Sequence, residues 1–210
     1  MNPIGRLHVI TDTALQSRFT HAELAALAIQ GGADTIQFRH KAAGLRELLE
    51  EGERVLAVCR AAGVPLIVND RVDVALALDA EGVHLGPEDM PVPIGRRLMP
   101  AGAWVGASAR TEEGILAAVA ARADYVGYGP IFGTSSKADA ASPRGLDGLA
   151  RMCALSSCPI IAVGGITART AGSVIRAGAH GIAVISAVCC QPQPREAARQ
   201  LMAEVRAALP

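Results

Sequence analysis

The 210-residue sequence has few aromatic side chains: they make up 3% of it, against 50% hydrophobic residues overall. Its core must therefore be built from Ala, Val, Leu and Ile, which suits helices packed on a buried parallel sheet. It also lacks an excess of either charge, because 20 basic and 20 acidic residues cancel. No run of Lys and Arg is present to neutralise a row of phosphates, so nucleic acid and anionic bilayers are disfavoured as partners. No apolar stretch approaches the roughly 20 residues of a membrane span. The segment from Met1 to Thr11 runs straight into a strand-like pattern, without the basic start and apolar stretch of a signal peptide. The five cysteines are odd in number and show no CxxC spacing, which argues against a disulfide framework or a zinc site. They read as buried thiols in a reducing cytoplasm. Finally, no GxGxxG follows the first strand-like run, so a dinucleotide-binding open sheet is disfavoured.

What is present is a repeated alternation. Short β-branched runs recur at Leu7–Thr11, Thr35–Arg39, Pro65–Asn69, Gly82–Leu85, Trp104–Ser108, Tyr125–Tyr128, Ile160–Val163 and Gly181–Ile185. Ala- and Leu-rich segments of helical period lie between them. Leu45, Leu48, Leu49, Val55 and Leu56 trace one helical face, and Ala198, Leu201, Met202, Val205 and Leu209 trace another. Thr20 with Glu23 forms a capping-box pattern before the first helix. Turns such as Gly32-Ala33-Asp34 and Ala177-Gly178-Ala179 repeat between a helix and the next strand. No linker divides the chain, so residues 1–210 read as one domain, an α/β fold closed as a (β/α)8 barrel.

Polar residues then fall where each predicted strand ends: Asp12; Gln37, Arg39 and Lys41; Asn69 and Asp70; Asp89; Ser108; Lys137; Gly165; Ser186. In a barrel these ends share one face. Alternation along Gln37-Phe38-Arg39-His40-Lys41 lets Gln37, Arg39 and Lys41 face one mouth, where two cations and an amide suit phosphate oxygens and a polar ring. Pairing of Arg39 and Lys41 with helix carboxylates at the rim is the equal alternative. Asp70 and Asp89 end neighbouring strand regions and suit a shared magnesium ion, although Asp70 alone would read as a cap for a helix starting near Val72. Gly164-Gly165 closes the seventh run and Ile185-Ser186 the eighth, the usual phosphate position of this architecture. The connection Gly129–Gly148, with Thr134, Ser135, Ser136 and Lys137, has the length of a lid.

These motifs together resemble the thiamine phosphate synthase family, through nearly the whole chain. The carriers are Gln37-Phe38-Arg39-His40-Lys41, the block Ile67 to Ala75 leading to Gly82-Val83-His84-Leu85-Gly86-Pro87-Glu88-Asp89, then Gly129-Pro130-Ile131-Phe132, Gly164-Gly165-Ile166 and Ala183-Val184-Ile185-Ser186. The resemblance implies a transferase that joins an aminopyrimidine methyl pyrophosphate to a thiazole phosphate, releasing pyrophosphate. It implies that Gln37, Phe38, Arg39, His40, Lys41, Asn69, Ser108 and Lys137 hold the pyrimidine substrate. Arg39, Lys41, Ser108 and Lys137 would act in catalysis, and Asp70 and Asp89 would bind Mg2+. Thr134, Ser135, Ser136, Gly165, Ile185 and Ser186 would hold the thiazole phosphate, and a homodimer is the implied assembly. Three positions depart from the family pattern: in Gly133-Thr134-Ser135-Ser136-Lys137, Gly133 replaces the usual proline and Ser136 the second threonine, and Arg110 stands where a histidine is common. A thiazole tautomerase would carry a histidine where Pro130 stands, and a silent phosphate sensor has little need of Asp70, Asp89 and Lys137 together.

Overall fold

A computed structural model of the chain describes residues 4–134 and 142–209. Among these, eight strands close into a parallel barrel in chain order. They are β1 (Leu7–Thr11), β2 (Thr35–Phe38), β3 (Leu66–Asn69), β4 (Gly82–Leu85), β5 (Trp104–Ala109), β6 (Tyr125–Tyr128), β7 (Ile160–Val163) and β8 (Gly181–Val184). β8 pairs back onto β1 with His8 opposite Ala183, so no strand is left as an edge. The helices that alternate with them are α1 (His21–Gln30), α2 (Leu45–Ala62), α3 (Val72–Ala77), α4 (Val92–Leu98), α5 (Glu112–Ala120), α6 (Gly145–Leu155) and α7 (Ala168–Arg176). After β8 come the single turn α8 (Ser186–Cys189) and the final helix α9 (Pro194–Ala207).

Each strand is buried on both faces, and alternation sorts its residues into two cores. Leu7, Val9, Ile36, Phe38, Leu66, Val68, Val83, Leu85, Val105 and Val126 face outward and pack with helix residues such as Leu24, Val55, Ile115, Val174 and Leu201. The inward positions form a smaller apolar cluster of Ile10, Ile67, Trp104, Tyr125, Ile161, Ala183 and Ile185. Fully burying one such aliphatic side chain is worth about 1.5–3 kcal/mol, so the outer layer dominates stability and the inner one is freer to carry polar groups.

The helix starts follow from local chemistry. Thr20 caps α1, its hydroxyl accepting from the Glu23 N–H while the Glu23 carboxylate accepts from the Thr20 N–H. α2 stops at Gly63, whose φ of 66° is left-handed. Two expectations are corrected. Leu45 is 50% exposed, because it is the first residue of α2 and the buried stripe begins only at Leu48. The cysteines are all free, but only Cys59 and Cys189 are buried; the other three are half-buried.

Candidate active site

The C-terminal ends of the strands surround a cavity of about 780 Å³. Gln37, Arg39 and Lys41 line it from β2 and the residues beyond it, Asn69 and Asp70 from β3, Asp89 from the loop after β4, and Ser108 from β5. Thr134, Gly165, Ile185 and Ser186 line it from the opposite side. Phe38 and His40 do not line it, which narrows the expected five-residue run to three side chains. The cause is strand alternation: Phe38 is 1% exposed in the outer core, and the rings of His40 and Phe38 each lie 4.9 Å from that of His21. Ser135, Ser136 and Lys137 lie outside the described residues.

The cations at the mouth are paired. Arg39 binds the carboxylate of Asp12, a buried residue whose other oxygen accepts the Ala14 N–H at 2.9 Å. Lys41, more exposed, binds Asp70. Neither cation pairs with a helix carboxylate: Arg39 takes Asp12, just after β1, and Lys41 takes Asp70, just after β3, so both stay at the strand ends. Asp70 also accepts from Asn69 Nδ2 at 2.7 Å and sits at φ 66°, a left-handed conformation that Asp tolerates better than most residues. It is not a helix cap: α3 starts after Arg71 with no side-chain cap bond.

Asp89 turns back over its own loop, accepting the Gly86 N–H at 2.7 Å. Its carboxyl is pushed above the usual range, first by burial and then by the side chain and charge of Asp70. Two carboxyl groups facing each other in a partly desolvated rim are a ready cation site: a divalent ion would relieve the repulsion that now favours the proton. Among the described residues no third His, Cys, Asp or Glu completes a cage. The remaining positions of such an ion would fall to water and ligand oxygens, as is usual for magnesium.

On the other side, Gly164 and Gly165 take φ values of 97° and 65°. A side chain there has no room: a Cβ on Gly165 would stand 2.4 Å from the Gly133 carbonyl oxygen, and one on Gly164 2.5 Å from Pro130. The loops after β6 and β7 are stitched together, Ile131 N–H donating to Val163 O and Phe132 N–H to Gly164 O, each at 3.0 Å. The close-packed turn leaves Gly165, Thr167 and Ser186 at the cavity wall, beside the start of α7.

Among the lining residues that received no role from the sequence are His8, His84 and Tyr125. They lie deeper, on the inward faces of β1, β4 and β6. The available signal was a polar residue in the middle of an otherwise apolar buried strand, which a solvent-facing reading would not place inside a barrel.

A closed parallel barrel whose C-terminal mouth gathers cations, facing carboxylates and a glycine turn defines an enzyme of the (β/α)8 class with a site for anionic ligands. Within that class, the family model described as Thiamine monophosphate synthase matches residues 7–188, and the chain belongs to that family. The thiamine-phosphate synthase of Chloroflexus aurantiacus is 50% identical over 200 residues, covering 95% of this chain and 92% of the relative. That of Salinibacter ruber is 46% identical over 202 residues, covering 96% and 89%. Among solved structures, thiamine phosphate pyrophosphorylase from Pyrococcus furiosus superposes with a TM-score of 0.89 at 39% identity, over 98% of this chain and 97% of that one. A 3-hexulose-6-phosphate synthase at TM-score 0.69 and 19% identity shares the fold. Among the described residues no helix is long and apolar enough to cross a membrane.

Proposed function

We propose that this chain is a thiamine-phosphate synthase, condensing an aminopyrimidine methyl pyrophosphate with a thiazole phosphate to give thiamine phosphate and pyrophosphate. The observation that carries the reading is the pairing, across one cavity, of a cation and carboxylate rim with a glycine turn. That is two anion sites for two phosphorylated substrates. Gln37, Asn69 and Ser108 would orient the pyrimidine ring, while Arg39, held in place by Asp12, and Lys41, which would exchange Asp70 for the substrate, would bind pyrophosphate oxygens. Lys137, on the connection after β6, is assigned to the same pyrophosphate. Thr134, Ser135, Ser136, Gly165, Ile185 and Ser186 would take the thiazole phosphate.

Asp70 and Asp89 are the residues that would hold Mg2+, which supplies positive charge beside the leaving pyrophosphate. The protein's own contribution is positioning and charge. Cationic side chains stabilise the departing pyrophosphate, the electron-rich pyrimidine supports the cation left at its methylene, and the bound thiazole presents its nitrogen to that carbon. Because the cation reacts with water, the apolar inner walls at Ile10, Ile161 and Ile185 serve to exclude it. The unpaired state of all five cysteines supports a cytoplasmic setting.

The test is to incubate purified protein with both substrates and magnesium and to measure thiamine phosphate. Turnover is expected, and it should vanish in Asp89→Ala and on chelation while circular dichroism stays unchanged. Tight binding of either substrate without product would overturn the reading in favour of a sensor. Undiminished turnover in Asp89→Ala would remove the metal role.

A further inference from the structure

Below the rim, β4, β5 and β6 carry a hydrogen-bonded chain of three side chains. The Tyr125 hydroxyl lies 3.0 Å from His84 Nδ1, and His84 Nε2 lies 2.9 Å from Ser108 Oγ. The rings of His84 and Tyr125 stack with centroids 5.4 Å apart. The strands make room for this chain. Gly106, opposite both His84 and Tyr125 in the barrel register, would put a Cβ 2.2 Å from the Tyr125 ring. Gly127, opposite Ser108, would put one 3.0 Å from His84 Cε1. The tyrosine thus crosses a bare strand to reach the histidine.

Counting protons fixes the direction of the chain. Tyr125 is 1% exposed, and among the described residues its hydroxyl has one hydrogen-bond partner, His84 Nδ1. Burial raises the Tyr125 phenol, which therefore stays protonated. Were Nδ1 to carry the imidazole proton, the tyrosine would have to accept, and its own proton would be buried with no acceptor. With Tyr125 donating to Nδ1, the imidazole proton sits on Nε2 and points at Ser108 Oγ. Ser108 then accepts, and its own proton is left for the cavity it lines.

We propose that Tyr125 and His84 are positioning residues that set the hydrogen-bond polarity of Ser108, making it a donor to the ligand. The position opposite Ser108 would then take a lone-pair atom, such as a ring nitrogen of the pyrimidine, in preference to an amino N–H. This identification of the ligand atom rests on the synthase reading; the polarity of the chain does not.

The experiments separate the two. In 15N-histidine NMR of the wild-type protein without substrate, with His84 assigned by its loss in His84→Gln, Nδ1 should show a pyridine-like shift and Nε2 a pyrrole-like one. The reverse tautomer overturns the relay. In steady-state assays Tyr125→Phe should lower kcat/KM for the pyrimidine substrate about tenfold, the scale of one buried hydrogen bond, with KM for the thiazole phosphate unchanged. His84→Gln, whose amide N–H can stand in for Nε2–H, should retain more activity than His84→Ala. Wild-type protein without synthase activity overturns the functional reading and leaves the NMR result standing. Active protein in which Tyr125→Phe matches the wild type, or in which His84→Gln is no better than His84→Ala, overturns the relay. If Tyr125→Phe fails to fold, the tautomer measurement alone decides.

Discussion

Asp12 shows how much of the site depends on a residue with no assigned chemistry. It is 2% exposed, it directly follows β1, and its carboxylate holds the guanidinium of Arg39 from 27 positions away. That pairing presents Arg39 to the cavity in one orientation, so less freedom is lost when a phosphate arrives. Asp12→Asn keeps an acceptor for the Ala14 N–H but removes the charge that holds Arg39. The expected outcome is a rise of about tenfold in KM for the pyrimidine substrate, with KM for the thiazole phosphate unchanged, checked by steady-state kinetics. An unchanged pyrimidine KM would show that Arg39 is held without Asp12. The sequence placed Asp12 among the strand-end polar residues, but its partner was not legible, because the register of the β1–β2 pairing, which brings the two strand ends together, is not written in either segment.

At the scale of elements, the strands were readable to within a residue at each end, since each is a contiguous β-branched run buried on both faces. That same double burial hid the inner layer. In a strand with two apolar faces, alternation does not tell inside from outside, so the polar character of His8 and Tyr125 did not place them in the cavity while Phe38 was assigned to it. The glycine turn after β7 was legible for the converse reason: only glycine relieves both a left-handed φ and a close backbone approach. Gly165→Ala would meet the Gly133 carbonyl oxygen at 2.4 Å from a φ of 65°. It should cost about 1–3 kcal/mol in stability, read as a lower Tm, and should weaken thiazole phosphate binding more than pyrimidine binding. Equal losses for the two substrates would detach this turn from the thiazole side.

For the whole molecule, the buried histidines set an acid limit. Burial holds His8 down at about 3, and burial with the neighbouring charge of His40 holds His21 down at about 4, against 6.5 for an ordinary histidine. The unfolded chain therefore binds more protons than the folded one as pH falls below 6.5, and the stability gained from keeping both neutral is lost through that window. At about 1.4 kcal/mol per pKa unit, acidification from pH 7 to pH 4 should remove several kcal/mol. Thermal melts across that range should show a falling Tm, with a shallower slope in His8→Gln. A Tm that stays flat between pH 7 and pH 5 would contradict this account.

The pairing of β8 with β1 also decides what a damaged molecule can do. The groups assigned to substrate sit on different strands around a ring, so no contiguous stretch of chain contains a working fraction of them. A half-length fragment should be inert rather than weakly active. Two fragments cut in the loop between β4 and α4 should recover turnover only on reassociating into the full ring. Catalysis then serves as a proofreader of closure, reporting the intact circle and nothing short of it.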